Sequence, residues 1–322
     1  MPIYSMRLFA IAAAAAIAIA IPQEVPWQSV VTSIGFGHYL LSIWYARRRL
    51  STLGADRNTA ATTLGVVLVG SGIYALGFPL IIYFAAHHVC NEVYINSRIT
   101  DRVQRDLRRR LMGAAIGLHT LLYFTLLRGE FAAVLVRRGY ITSAVDTLQP
   151  PFYFFLPVLA AYLVYGVFLY QARRQINRHS MLELSMTELV GIALLAVSCV
   201  TPIRFLDVVC YHFAFWWFFP ASKLAENGLA PVMQYALWMI ALVGATFLLS
   251  PAVLPDYPFR DSMYLRQFLL WSHIHITSSF FLSTAHPEWI RRWFVPRRVA
   301  LASAPTGGLR GVQTFALERK QR

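Results

Sequence analysis

Apolar runs of membrane-spanning length follow one another almost from end to end of this chain, and that succession leaves few folds open. A helical crossing takes about 20 apolar residues, with a range of about 17 to 25. Runs of that order occupy residues 8–22, 27–46, 61–95, 111–127, 152–172, 184–203, 205–221, 231–253 and 264–286. They are continuous and not alternating, so helices are predicted and not a barrel, the two structures that satisfy their backbone in lipid. Charged residues make up 14% of the chain, where a soluble domain carries about 25%. The fold class predicted is all-α: a polytopic transmembrane bundle of about 8–10 membrane helices. A single integral-membrane domain is expected over residues 1–290, surrounded by membrane lipids, with a basic, disordered cytoplasmic tail over 291–322.

The net charge of +14 does not point to nucleic acid. All but two of the 29 basic residues are arginines, the exceptions being Lys223 and Lys320. The arginines gather in "ARRRL" (46–50), "RVQRDLRRRL" (102–111), "ARRQINR" (172–178) and "IRRWFVPRR" (290–298). Basic clusters between apolar runs mark cytoplasmic loops, so a bacterial inner-membrane protein with a cytoplasmic tail is expected. Segment 61–95 has arginine-rich flanks on both sides and Gly77-Phe78-Pro79 at its middle. Proline breaks a helix, so two short helices, 61–76 and 79–95, are predicted as a tight or partly re-entrant hairpin. The run after Arg7 ends in Ala18-Ile19-Ala20, a sequence suited to signal-peptide cleavage. A retained first helix is the favoured expectation.

The three cysteines, Cys90, Cys199 and Cys210, form no CxxC and no CxxCH, which argues against a disulfide framework, a thiolate zinc site and covalent haem. The chemistry is expected of the histidines. His179 and His286 fall at span ends; His38, His87, His88, His119, His212, His273 and His275 fall inside predicted helices. Counted from the cytoplasmic ends, His38, His88, His119, His212 and His275 lie nine to eleven residues in, about 14 to 17 Å deep at 1.5 Å per residue. Five imidazoles at one depth would each carry a desolvation penalty unless satisfied together, as around a metal. A hydrogen-bonded polar layer is the plainer alternative.

Helix geometry sorts these residues. His88 and Glu92 are at i and i+4 on one face. His87 is turned about 100° from His88, and His273 about 200° from His275, so one member of each pair is the expected ligand. The candidate metal set is His38, His88, His212 and His273, with Glu92 as the carboxylate orienting a ligand. His87, His119, His275 and Asp207 are second-shell or alternative ligands, although Asp207 also has Arg204 at i,i+3. Neutral imidazoles with a carboxylate suit non-haem iron (Fe2+), with zinc, copper and manganese open. The aromatic runs "YHFAFWWFF" (211–219), "FYFFLP" (152–157), "SIWY" (42–45) and "FLLWSHIHI" (268–276) read either as lipid face or as a tunnel for a lipophilic substrate.

In its spacing the chain resembles the Brp/Blh-type bacterial membrane β-carotene-cleaving dioxygenases. "GHYLLS" (37–42), "HHVCNE" (87–92), "CYHFAFWWF" (210–218) and "SHIHI" (272–276) stand where that family carries its four histidine elements. Ser42 replaces an expected aspartate, Trp216 a second histidine, and Ser272 a proline. The resemblance implies an iron site on separate helices and cleavage of a carotenoid. The HxxxH and HxxHH boxes of membrane desaturases are absent. The function expected is a histidine-ligated non-haem iron oxygenase acting on a carotenoid, isoprenoid or lipid. The alternatives are an electron carrier holding haem b between His38 and His212 or working with quinone, and a non-catalytic transporter or assembly protein with breaks at Pro79 and Pro202. The oligomeric state is left open by the sequence.

Overall fold

A computed structural model describes residues 2–20, 27–52, 57–139, 152–254 and 260–282. Among the described residues there are eleven α-helices and no strand. They are α1 (Ile3–Ala20), α2 (Trp27–Thr52), α3 (Arg57–Ala75), α4 (Leu80–Ile99), α5 (Arg105–Leu126) and α6 (Arg128–Arg137). α7 (Phe152–Ala172), α8 (Arg178–Val200), α9 (Phe205–Ala225), α10 (Leu229–Leu248) and α11 (Arg260–Leu282) complete the set. His286 and the tail 291–322 lie outside the described residues.

The chain is a multi-pass membrane protein. Among the described residues three helices are long and apolar enough to span by themselves: Phe155–Ala172 in α7, all of α8, and α10. A fourth arises if α5 and α6, bent by 74° at Leu127, count as one broken span. The other helices fall short for a physical reason. α2, α4 and α11 mix histidines and hydroxyl residues into their apolar sequence, and His38, His87, Ser272 and Thr277 among them are buried inside the bundle. The outward surface is apolar: Leu163 and Ile240 are 72% and 70% exposed, as expected of side chains facing lipid tails.

The break at Gly77 is present. Gly77 has φ +67°, and its amide and that of Phe78 bond back to Tyr74 O (2.8 Å) and Ile73 O (3.2 Å), closing α3 with a left-handed residue that glycine adopts without strain. Pro79 then starts α4, and the Arg138 guanidinium donates to Gly77 O. The two helices do not form the predicted hairpin, because α3 and α4 each pack on α11 and not along one another. α3 comes close to α11 because Gly70 lacks a side chain: a Cβ there would stand 2.7 Å from Ile274 Cα.

α1 is held at both ends of its first two turns. Its N-terminal amides, Ile3 and Tyr4, donate to the Glu183 carboxylate of α8 at 2.9 and 3.0 Å. A carboxylate there satisfies amides left open at a helix start and favours the positive end of its dipole. α1 lies along α9 and touches α8, which carries Arg7 into the interior. An aromatic-rich core gathers α2, α4, α9 and α11, and a second core joins α5, α7 and α8. The candidate site lies in the first, and a cavity separates it from the second.

Candidate functional site

Five histidine rings meet in the first core. His38 of α2, His275 of α11, His87 of α4 and His212 of α9 form a closed circuit. Successive ring centroids are 4.9 Å (His38–His275), 5.7 Å (His275–His87), 5.1 Å (His87–His212) and 5.6 Å (His212–His38). His88 adds a fifth ring, 5.9 Å from His212. Phe84 (5.0 Å from His212), Phe213 (5.2 Å from His38) and Tyr39 (stacked on His275 at 4.7 Å) wall the group off. His38, His87 and His212 are buried.

Neighbouring hydroxyls set the orientation of two rings. Ser279 Oγ donates to Ile276 O (2.8 Å) and lies 2.8 Å from His87 Nδ1. A hydroxyl has one hydrogen, so the ring donates, and Nε2 is the nitrogen with the lone pair. Asn91 Nδ2 approaches that atom at 3.2 Å. Ser42 repeats the arrangement: its Oγ donates to Tyr39 O (2.7 Å) and lies 3.2 Å from His275 Nδ1. His212 Nδ1 is buried with no hydrogen-bond partner among the described residues. Polar partners that fix an imidazole tautomer are what metal-ligating histidines commonly have.

With metal–nitrogen bonds of about 2.1 Å, imidazoles around one tetrahedral ion stand roughly 5 Å apart, centroid to centroid. The circuit's spacings are of that size. Among the described residues no three His, Cys, Asp or Glu side chains form a ready-made metal group. The rings are close, but their nitrogens do not converge on one point. Ring rotation within the existing positions is what binding would require. The residues therefore fit a metal by donor type and ring spacing, and not by present nitrogen geometry.

The expected ligand set is brought together in part. His38, His88 and His212 belong to the cluster. His273 does not: its Nδ1 faces Leu269 O (2.8 Å), its Nε2 faces Phe78 O (3.1 Å), and its ring stacks on Tyr83. His273 clips α11 to the α3–α4 break, and His275, on the opposite side of α11, takes the position in the cluster. The choice between His87 and His88 dissolves, because His212 lies between them and meets both. His119 points away from the cluster towards Glu188, with Nε2 3.7 Å from Oε1. His179 is on the surface, with its side chain 71% exposed. Asp207 is bidentate with Arg204 (2.8 and 3.1 Å) and caps α9; it takes no part in the cluster.

Glu92 is held more firmly than the sequence implied. Arg7 Nη1 donates to Glu92 Oε1 (2.8 Å) and to Tyr211 Oη (2.9 Å), while Nη2 donates to Oε2. Both charges are buried. His88 Nε2 is 3.8 Å from Glu92 Oε1, so Glu92 stands beside the cluster through His88. Together with His119 and Glu188, these groups line a cavity of about 580 Å³ between α1, α5, α8 and α9. Sequence reasoning missed Arg7, Tyr123, Glu188 and Tyr211. Two signals were readable: Arg7 is the one basic residue before Arg47, and a carboxylate at membrane depth needs a partner. No protein-family model, no curated protein and no solved structure matches the chain.

Proposed function

We propose that the protein is an integral-membrane oxygenase of the bacterial inner membrane, with its basic tail cytoplasmic. Its non-haem iron would be held by His38, His87, His212 and His275, and its substrate would be a lipophilic carotenoid, isoprenoid or lipid. The observation that carries this reading is the circuit of four imidazoles from four helices, closed at 4.9–5.7 Å in a buried aromatic chamber. Iron bound there would supply a site for activating O₂. Ser279 and Ser42 hold His87 and His275 as donors at Nδ1, which turns the lone pair of each to Nε2. Phe84, Phe213 and Tyr39 exclude water. His88 lines the cavity and touches the cluster, so a chain in the cavity would lie beside the metal. The Arg7–Glu92 pair keeps the charge next to His88 neutral overall.

The spacing likeness to the Brp/Blh-type dioxygenases supports iron and a polyene among the candidate substrates. The haem alternative is less well supported. His38 and His212 are 5.6 Å apart, and His87, His275 and Phe213 crowd the same space, leaving no slot for a planar macrocycle. The test is turnover: iron-loaded protein in lipid nanodiscs, given a carotenoid, isoprenoid and lipid panel under ¹⁸O₂. Labelled product from wild type and none from His212→Ala supports the proposal. No labelled product from any compound, with iron bound, refutes the oxygenase activity.

A further inference from the structure

The cavity beside the cluster contains buried polar atoms that no hydrogen bond among the described residues satisfies. Both Glu188 carboxylate oxygens, His119 Nε2, Tyr123 Oη, Arg7 Nε and His88 Nδ1 have no hydrogen-bond partner among the described residues, and all five residues line the cavity. Arg7, His119, Tyr123 and Glu188 are each more than nine-tenths buried. Native proteins leave few such groups, and each costs about 1–3 kcal/mol. Several on one wall mark a place where a ligand supplies the missing partners. The rest of the wall is chiefly apolar, from residues such as Ile11, Leu122, Leu126 and Leu194.

We infer that the cavity binds a lipophilic alcohol, its hydroxyl donating to Glu188 and accepting from Tyr123 or Arg7 Nε. Charge selects this head group. Glu92 is already neutralised by Arg7, so Glu188 is the carboxylate facing the space with no hydrogen bond. A carboxylate ligand would be repelled by Glu188, and an ammonium, which has donors and no acceptor, would leave the Arg7 Nε donor unpaired. A hydroxyl both donates and accepts, and it brings no charge to membrane depth. At about 30 Å³ per water-sized group, the volume holds roughly 20 such groups, the size of a C₁₆ to C₂₀ chain. The inference deepens the oxygenase proposal by naming its substrate's head group, and rests on that reading only for the role of the bound molecule.

The test is retention on full-length protein in phosphatidylcholine nanodiscs, offered hexadecanol, hexadecane, hexadecylamine and palmitate in equal amounts, then repurified and analysed by mass spectrometry. The expected result is hexadecanol near one per chain and at least about tenfold over the others, the factor one hydrogen bond of about 1.4 kcal/mol gives. Glu188→Leu and Tyr123→Phe should each reduce that preference several-fold. Tyr123→Phe should not lower the melting temperature, because Tyr123 Oη makes no hydrogen bond among the described residues. Equal retention of all four, preference for the amine or the acid, no retention at all, or a preference that survives both variants would overturn the inference. His212→Ala, which lines the cluster and not the cavity, separates the two proposals. Alcohol retained without metal leaves this inference standing, and metal retained without alcohol removes it alone.

Discussion

Arg7→Met tests the interior most severely, because it removes one charge from a buried pair and leaves the other. Methionine keeps most of the apolar stem of arginine and can fill the space between α1 and α9. What disappears is the set of bonds to both Glu92 oxygens and to Tyr211. Each charge-assisted bond is worth about 1.5–3 kcal/mol. Stranding one member of a buried pair costs about 3–5 kcal/mol in all. Arg7→Met should therefore destabilise by about that amount, and Glu92→Leu by a comparable amount through the stranded arginine. The double variant should recover most of the loss, since apolar replacement of a whole buried pair is often near neutral. The assay is reversible unfolding in mixed micelles with rising SDS, followed by the fluorescence of the eight tryptophans. A single-variant cost below about 1 kcal/mol, the value of an exposed pair, would refute the buried contact. So would a double variant whose cost is the sum of the two, because contacting residues do not add.

Further expectations concern the cluster and its frame. Ser279→Ala and Ser42→Ala should each weaken metal affinity about 10- to 100-fold, the usual effect of removing a ligand's outer partner, measured by competition with a chromophoric chelator. Bound metal should be lost as pH falls, because protons compete for the nitrogens that ligate only when neutral. Metal-to-protein ratio after equilibration from pH 8 to pH 5 checks the direction; tighter binding at pH 5 would contradict it. Gly70→Val should push α3 off α11 and destabilise by about 1–3 kcal/mol or more, read as a lower melting temperature.

Much of this architecture was legible in the chain. Continuous apolar runs specified helices, Gly77 and Pro79 located the break, and of the five histidines grouped by depth, His38, His88, His212 and His275 meet in the cluster while His119 faces Glu188. Rotation about each helix axis was not legible. Depth cannot distinguish His273 from His275, and the outcome is set by Phe78 O on one side of α11 and by Ser42 and Tyr39 on the other. A hydropathy run does not reveal which of its polar residues a helix turns towards an interior cluster. Arg7 was read as the flank of a leader-like run, since its partner is 85 residues away. Glu188 sat in an apolar span with no i,i+4 partner to draw notice.

The most direct test of the histidine cluster is bound metal and visible absorption on one purified sample, after anaerobic iron loading, for wild type, His212→Ala and His273→Gln. Near-stoichiometric iron without a Soret band is predicted for wild type. It should disappear in His212→Ala and persist in His273→Gln, which loses only the clip to Phe78 and Leu269. No iron in the wild type, or equal iron in His212→Ala, would contradict the account.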